Sequence, residues 1–329
     1  MRIILTACFT LLGLPALADI DAVIDDHIIK HHTAFAQSTA ALEFAAKEDC
    51  TPVAVIPAYH TAFDAWVAVS HIRFGPIEDQ GEGLAVAFWP DKKGMIPKTL
   101  SRMISAQDPA VHDRKAFSEY SVAARGFFAL EQMLFDPKFS DYDKDSYSCA
   151  LTQAITVDLT RIAAQTREGW VKGYATTLRT AGEPGNLVFL TDKEGAQALY
   201  TNMLAGLEYI HSQRLGRPLG SFEKPRPKRA EAWRSLRSLR NIIVSLESLQ
   251  EMAEMLADGE ASETMEAFDA TIGYARTLDD HVFENLNETS AKFQLGSLQE
   301  LVAVVHEAAA AEIGSYLNVG AGFNALDGD

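Results

Sequence analysis

Apolar residues recur every three or four positions along nearly the whole chain, and that spacing limits the fold more than any other feature. Ile20, Val23, Ile24, Ile28, Phe35 and Leu42 set the rhythm at the start, the repeat of a helix that buries one stripe of its surface. No segment sustains the strict apolar–polar alternation of a half-buried strand. The chain therefore reads as all-α, and 329 residues allow one large domain or two smaller ones.

Punctuation divides this pattern into elements. Thr51-Pro52 opens a second helix that runs to about His71, with Pro57 delaying its regular part. Residues 75–96 are rich in Gly, Pro and Asp and read as a long connection, a feature often tied to function. Pro97 starts a short helix, and apolar periodicity then predicts helices over 110–134 and 144–180. The stretch RTAGEPGNLVF (179–189) is the clearest break. Beyond it, Thr191 with Glu194 forms a capping-box pattern for a helix to about Arg214. Further helices are expected over 228–257, 262–278 and 297–317, the last capped by Ser297 with Glu300. The expectation is two helical bundles, 19–185 and 186–329, joined by long irregular loops. Leu-Glu recurs inside an apolar helix in FFALEQML and in LAGLEYI, a faint echo that fits an internal duplication.

Residues 1–18 carry Arg2, an apolar run too short to span a bilayer, and Ala16-Leu17-Ala18 as a small-x-small cleavage site. This predicts a cleavable signal peptide, a periplasmic or otherwise exported chain starting near Asp19, and no transmembrane segment after cleavage. Leu5-Thr6-Ala7-Cys8 leaves too little apolar sequence before Cys8 for a lipoprotein signal. After cleavage Cys50 and Cys149 remain, an even pair in an oxidising compartment. They read as a disulfide, with two buried thiols as the alternative. A formal charge of −16 argues against nucleic acid and anionic membranes as partners. It is compatible with cations and with plain solubility.

Several side chains could carry chemistry. Glu131 stands among Phe127, Phe128, Leu130, Met133 and Leu134. It either points outward or, if buried, must be satisfied by a cation, a donor or a metal; an arginine from another helix is the expected partner. His71 follows Phe63 and Val67 at helical spacing, with Arg73 and Glu78 just beyond. In KPRPKRAEAWRSLRSLRN (224–241), Arg234, Arg237 and Asn241 share one helical face. Arg240 falls on the apolar side, where a guanidinium needs a carboxylate or an anion. His27 with His31, His281 with Glu284, and His60 with Asp64 are each spaced for two metal ligands, but none supplies the three or four of a tight site. There is no H-E-x-x-H, G-x-S-x-G or phosphate-cradling glycine loop.

Taken with the signal peptide, AWVAVSHIRFGPIE (65–78), AFWPDKKG (87–94), GFFALEQMLF (126–135), QRLGRPLG (213–220), AWRSLRSLRNI (232–242) and the closing GFNALDGD (322–329) resemble the imelysin-like proteins, also classed as peptidase family M75. The resemblance covers essentially the whole mature chain. It implies a two-domain all-helical fold arising by duplication, a site between the domains, and a link to iron uptake or regulation through an envelope partner. The family motif G-x-H-x-x-E falls on Gly126 and Glu131, but Phe128 stands at the histidine position. Phenylalanine neither ligates a metal nor moves a proton, so the resemblance points to a subgroup that keeps the fold and departs from the motif. The expected function is non-catalytic binding of a small ligand, of iron or of another divalent metal. Glu131, His71, Arg73 and Arg240 would line the cleft, with Trp66 and Trp89 as walls. The alternatives are an M75-type metallopeptidase with other ligands, or a pure protein-interaction module.

Overall fold

The computed structural model describes residues 19–320; the segment expected to be a signal peptide and the closing GFNALDGD lie outside them. Among the described residues the regular structure is helical, and the only strand-like pairing is an isolated bridge between Ser221 and Lys224. Helix α1 runs over 20–48, with Val23–Ile29 wound as π-helix. Then come α2 (Pro52–Val67), α3 (Met95–Ala106) and α4 (Gly126–Phe135). Helix α5 spans 147–179 with a π-turn at Trp170–Tyr174, and α6 spans 192–219 with another at Ile210–Leu215. Helices α7 (Ser238–Leu256), α8 (Ser262–Arg276) and α9 (Thr289–Leu317) complete the chain.

Helix boundaries depart from the periodic pattern where backbone constraints intervene. The expected 110–134 helix is instead two 3-10 turns flanking the short helix Arg114–Ser118, followed by α4, and Gly126 at φ +73° sets off the start of α4. A Cβ there would lie 2.1 Å from the Ala85 carbonyl oxygen and 2.2 Å from that of Val86. Only glycine fits this close approach at positive φ. Residues 75–96 are not a plain loop, since Gly75–Gly81 is 3-10 helical and Glu82–Val86 is one α-turn. Helix α2 runs through Pro57 without delay and stops at Val67, four residues short of His71. Residues 230–237 are not helical, and Ala232 and Leu236 both have positive φ. Helix α9 begins at Thr289, so Ser297 is interior and caps nothing. Helix α6 starts where expected, but Glu194 accepts from the Leu190 N–H and Thr191 makes no side-chain cap.

The helices pack in two groups. In one, α1 lies against α2 and α5, with α4 against both α2 and α5; in the other, α9 lies against α6 and α8, and α7 against α6 and α8. Helix α7 also reaches across to α1 and α2. The first group is centred on aromatic rings, with Phe63 stacked on Phe127 at 4.6 Å and Phe35 against Trp66 at 5.3 Å. Such pairs add about 0.5–1.5 kcal/mol beyond the area they bury. Cys50 and Cys149 form a disulfide that ties the α1–α2 junction to the first turn of α5 across a sequence separation of 99. The alternative of two free thiols is thereby set aside. In the loop-entropy account a closure of this length is worth about 4–5 kcal/mol.

Candidate functional site: a cationic groove and a histidine cluster

Three cavities share walls where the two helix groups face each other. One of about 570 Å³ lies between the Trp89–Pro97 segment, α4 and residues 228–234. A second of about 300 Å³ shares Trp89 and Phe128 with it. A third of about 660 Å³ shares Ser70, Arg73, Tyr209 and Arg214 with the second. Glu131 and Trp89 line the first, Trp66 and Arg73 the second, and His71 and Arg73 the third. Glu78 joins Arg73 in the second. Arg240 lines none of them.

Glu131 is buried, and its partner is not an arginine. Its Oε1 accepts from the backbone N–H of Ser235 at 3.0 Å and from the Ser235 hydroxyl at 2.7 Å. Burial pushes its carboxyl above the ordinary value, and the two Ser235 bonds oppose that shift. Arg234 lies nearby but is paired with Asp136 at 2.9 Å. Arg125, at the entrance of α4, is held by Asp158 at 2.7 Å and Glu82 at 3.0 Å. Phe128 packs edge-on against Phe63 and stacks toward Trp89.

The groove is rich in guanidinium groups over aromatic faces. Arg73 stands 4.6 Å from the centre of the Tyr209 ring, and Arg217 5.5 Å from that of Trp89. Among the described residues neither forms an ion pair with a carboxylate, although Arg214 does, with Glu231 at 2.7 Å. Asn241 donates to the same Glu231 oxygen at 2.9 Å. The Arg217 Nε is buried without a hydrogen-bond partner among the described residues. Burial, then the nearby Arg229, push the Arg217 guanidinium below its ordinary value. Lys92, Lys228 and Arg229 line the 570 Å³ cavity as well. A chain of formal charge −16 thus presents a concave surface of locally positive charge.

The arginines after Trp233 exchange roles relative to the helical-face reading. Because 230–237 is irregular, Arg237 is buried, while Arg240 has 59% of its side chain exposed. Arg237 donates to His60 Nδ1 at 3.0 Å and to Asp64, and it lies over the Phe63 ring. Arg240 pairs with the same Asp64 from outside. The His60–Asp64 pair is therefore committed to guanidinium contacts. His281 and Glu284 sit in turns, both exposed, and the nearby Asp280 accepts backbone N–H groups. They are not neighbours on a helix.

His27 and His31 do converge with a third residue. His27 Nδ1 lies 3.1 Å and His31 Nε2 2.6 Å from Oε2 of Glu251, which comes from α7. His27 Nε2 lies 3.0 Å from His71 Nε2. Burial holds the His27 and His71 imidazoles below their ordinary values. Burial opposes ionisation of Glu251, but bonds from His27, Lys30 and His31 outweigh it and keep its carboxyl low. Ser235 and Tyr209 fall inside the AWRSLRSLRNI and LAGLEYI stretches without being singled out there, and Glu251 lies in no such stretch. For Arg214 and Arg217 the QRLGRPLG stretch is the one local signal; Glu251 carries none, being a polar residue on an amphipathic helix.

The solved structures agree with this architecture. An imelysin-like protein from Psychrobacter arcticum 273-4 superposes with a TM-score of 0.78 at 16% identity, covering 92% of this chain and 96% of that one. A protein from Parabacteroides distasonis ATCC 8503, described as "putative iron-regulated protein A precursor", does so with 0.69 at 16% identity, covering 90% and 97%. No curated protein matches the chain. The sequence profile of the peptidase M75 family, Imelysin, matches residues 28–309. The chain belongs to the imelysin family.

Proposed function

We propose that this protein is an exported, non-catalytic binding protein of iron-related physiology that holds a small anionic ligand in the groove between its two helix groups. The groups correspond in this reading to domains of 19–185 and 186–329. The observation that carries it is Arg217, whose buried Nε lacks a partner among the described residues while its guanidinium lies over Trp89 in a cavity with further cations. A buried donor of this kind is costly unless something accepts from it. Carboxylate or phenolate oxygens of a ring-bearing or chelating ligand suit guanidinium groups beside aromatic walls. Family membership and the iron-regulated description of a structural neighbour support the iron context. The disulfide suits an oxidising compartment, and no helix among the described residues is long and apolar enough to cross a membrane. Phe128 at the motif histidine and the engagement of Glu131 by Ser235 argue against peptide hydrolysis through that motif.

Tryptophan fluorescence tests this with titrations of ferric citrate, citrate alone and haem. Saturable quenching by at least one is expected, weakened about tenfold or more in Arg217→Ala, the factor that corresponds to about 1.4 kcal/mol. The absence of saturable quenching with all three would refute the reading.

A further inference from the structure

His71 lines the 660 Å³ cavity with Arg73 and Arg214, and behind it His27, His31 and Glu251 pose a different chemical question. Two imidazoles and a carboxylate from helices far apart in sequence meet around one point, and their ligand atoms all lie within 4.8 Å of one another. The π-winding of Val23–Ile29 includes His27 and ends just before Lys30. Such insertions re-aim side chains and recur at functional sites. Here the rings of His27 and His31 stand edge to face at 4.7 Å, and both reach Glu251.

We propose that His27 Nδ1, His31 Nε2 and Glu251 form a binding site for a divalent first-row transition cation, with His71 as the residue that orients His27. Two imidazole nitrogens and one carboxylate oxygen are a donor set that zinc and its neighbours accept, at bonds of about 2.0–2.2 Å. The protein supplies three ligands, and solvent completes the shell. His27 is fully buried, whereas His31 and Glu251 keep 17% and 28% of their side chains exposed, so the open side faces water. Metal binding requires small movements, since contacts of 3.1 and 2.6 Å are hydrogen-bond distances that the cation would replace.

Proton placement follows from the geometry. A lone pair on His27 Nδ1 puts that ring's proton on Nε2, where it donates to His71 Nε2 at 3.0 Å. His71 then carries its own proton on Nδ1. A ligating histidine is commonly fixed by a hydrogen bond from its other nitrogen, and here the His71 imidazole takes the place usually held by a carboxylate, carbonyl or water. Lys30 works against the site, because its ammonium occupies the other oxygen of Glu251. Its side chain is 58% exposed and free to leave.

The test uses the tag-free chain, metal-stripped, titrated with Zn²⁺ by calorimetry and with Co²⁺ by visible absorption. A single ion per chain at micromolar affinity or tighter is expected, with Co²⁺ bands of four- or five-coordinate type. His31→Ala and Glu251→Gln, both at partly exposed positions, should each weaken Zn²⁺ by about tenfold or more. Lys30→Met should tighten it. His281→Ala and Arg217→Ala should leave it unchanged, which separates this site from the anionic groove. Far-ultraviolet circular dichroism of each variant establishes that it is folded. Zn²⁺ affinity that His31→Ala and Glu251→Gln leave intact, or no Zn²⁺ or Co²⁺ binding below about 100 μM, overturns the proposal.

Discussion

Ser235 gives both of its donors to a single oxygen of Glu131, the backbone N–H at 3.0 Å and the hydroxyl at 2.7 Å. The serine belongs to the irregular segment before α7, and the glutamate to α4 in the other helix group. The motif carboxylate thus ties the two groups together without a metal ligand one turn before it. Ser235→Ala removes the hydroxyl and leaves a buried acceptor with one donor. A loss of about 1–3 kcal/mol is expected, read from urea denaturation midpoints at constant slope. An unchanged midpoint would show that water replaces the hydroxyl at no cost.

The same carboxyl makes stability depend on pH. Its folded-state value is raised, chiefly by burial, with Ser235 and Arg234 opposing and Glu231 adding to the shift. A raised folded value means that the folded state holds the proton more tightly than the unfolded chain. The stabilisation from this group is complete below the ordinary glutamate value and is lost as pH rises through the folded one. Glu131→Gln should remove that decline. Stability of both proteins measured from pH 4 to 8 should show a shallower fall for the glutamine variant above about pH 4.3; parallel curves would contradict it.

Gly126 bears on the motif through backbone geometry alone. At φ +73°, a methyl group added here would meet the Ala85 and Val86 carbonyl oxygens at 2.1 and 2.2 Å, and no rotamer relieves the clash. Gly126→Ala should cost about 4 kcal/mol or more, among the largest effects of a single methyl. A thermal melt within about 2 °C of the parent, where 1 kcal/mol moves the midpoint of a chain this size by about that much, would show that the Glu82–Val86 turn can move away.

Arg237 and Arg240 share Asp64 but should behave differently when removed. Arg237 is buried and also holds His60, so Arg237→Met should cost about 2–4 kcal/mol. Arg240 is largely exposed, and Arg240→Met should cost under about 1 kcal/mol. Equal losses would mean that the pair acts as one unit, which a double-mutant cycle would expose.

Signals carried by neighbours along the chain were legible before any fold was known. Apolar spacing marked most of the helices, Cys50 and Cys149 stood out as the pair outside the expected signal segment, and G-x-x-x-x-E at Gly126 to Glu131 located the altered motif. These are local or compositional signals, and the helices form wherever such spacing can bury a stripe. Contacts between groups from distant segments were set by packing. A helical reading of 230–237 placed Arg240 inward; positive φ at Ala232 and Leu236 broke that register and put Arg237 in its place. Glu131 found a serine rather than an arginine because that same irregular segment turns its N–H and hydroxyl toward α4. Glu251 joined His27 and His31 only because α7 crosses α1. A local period specifies which face of a helix is buried, and packing alone specifies what that face meets.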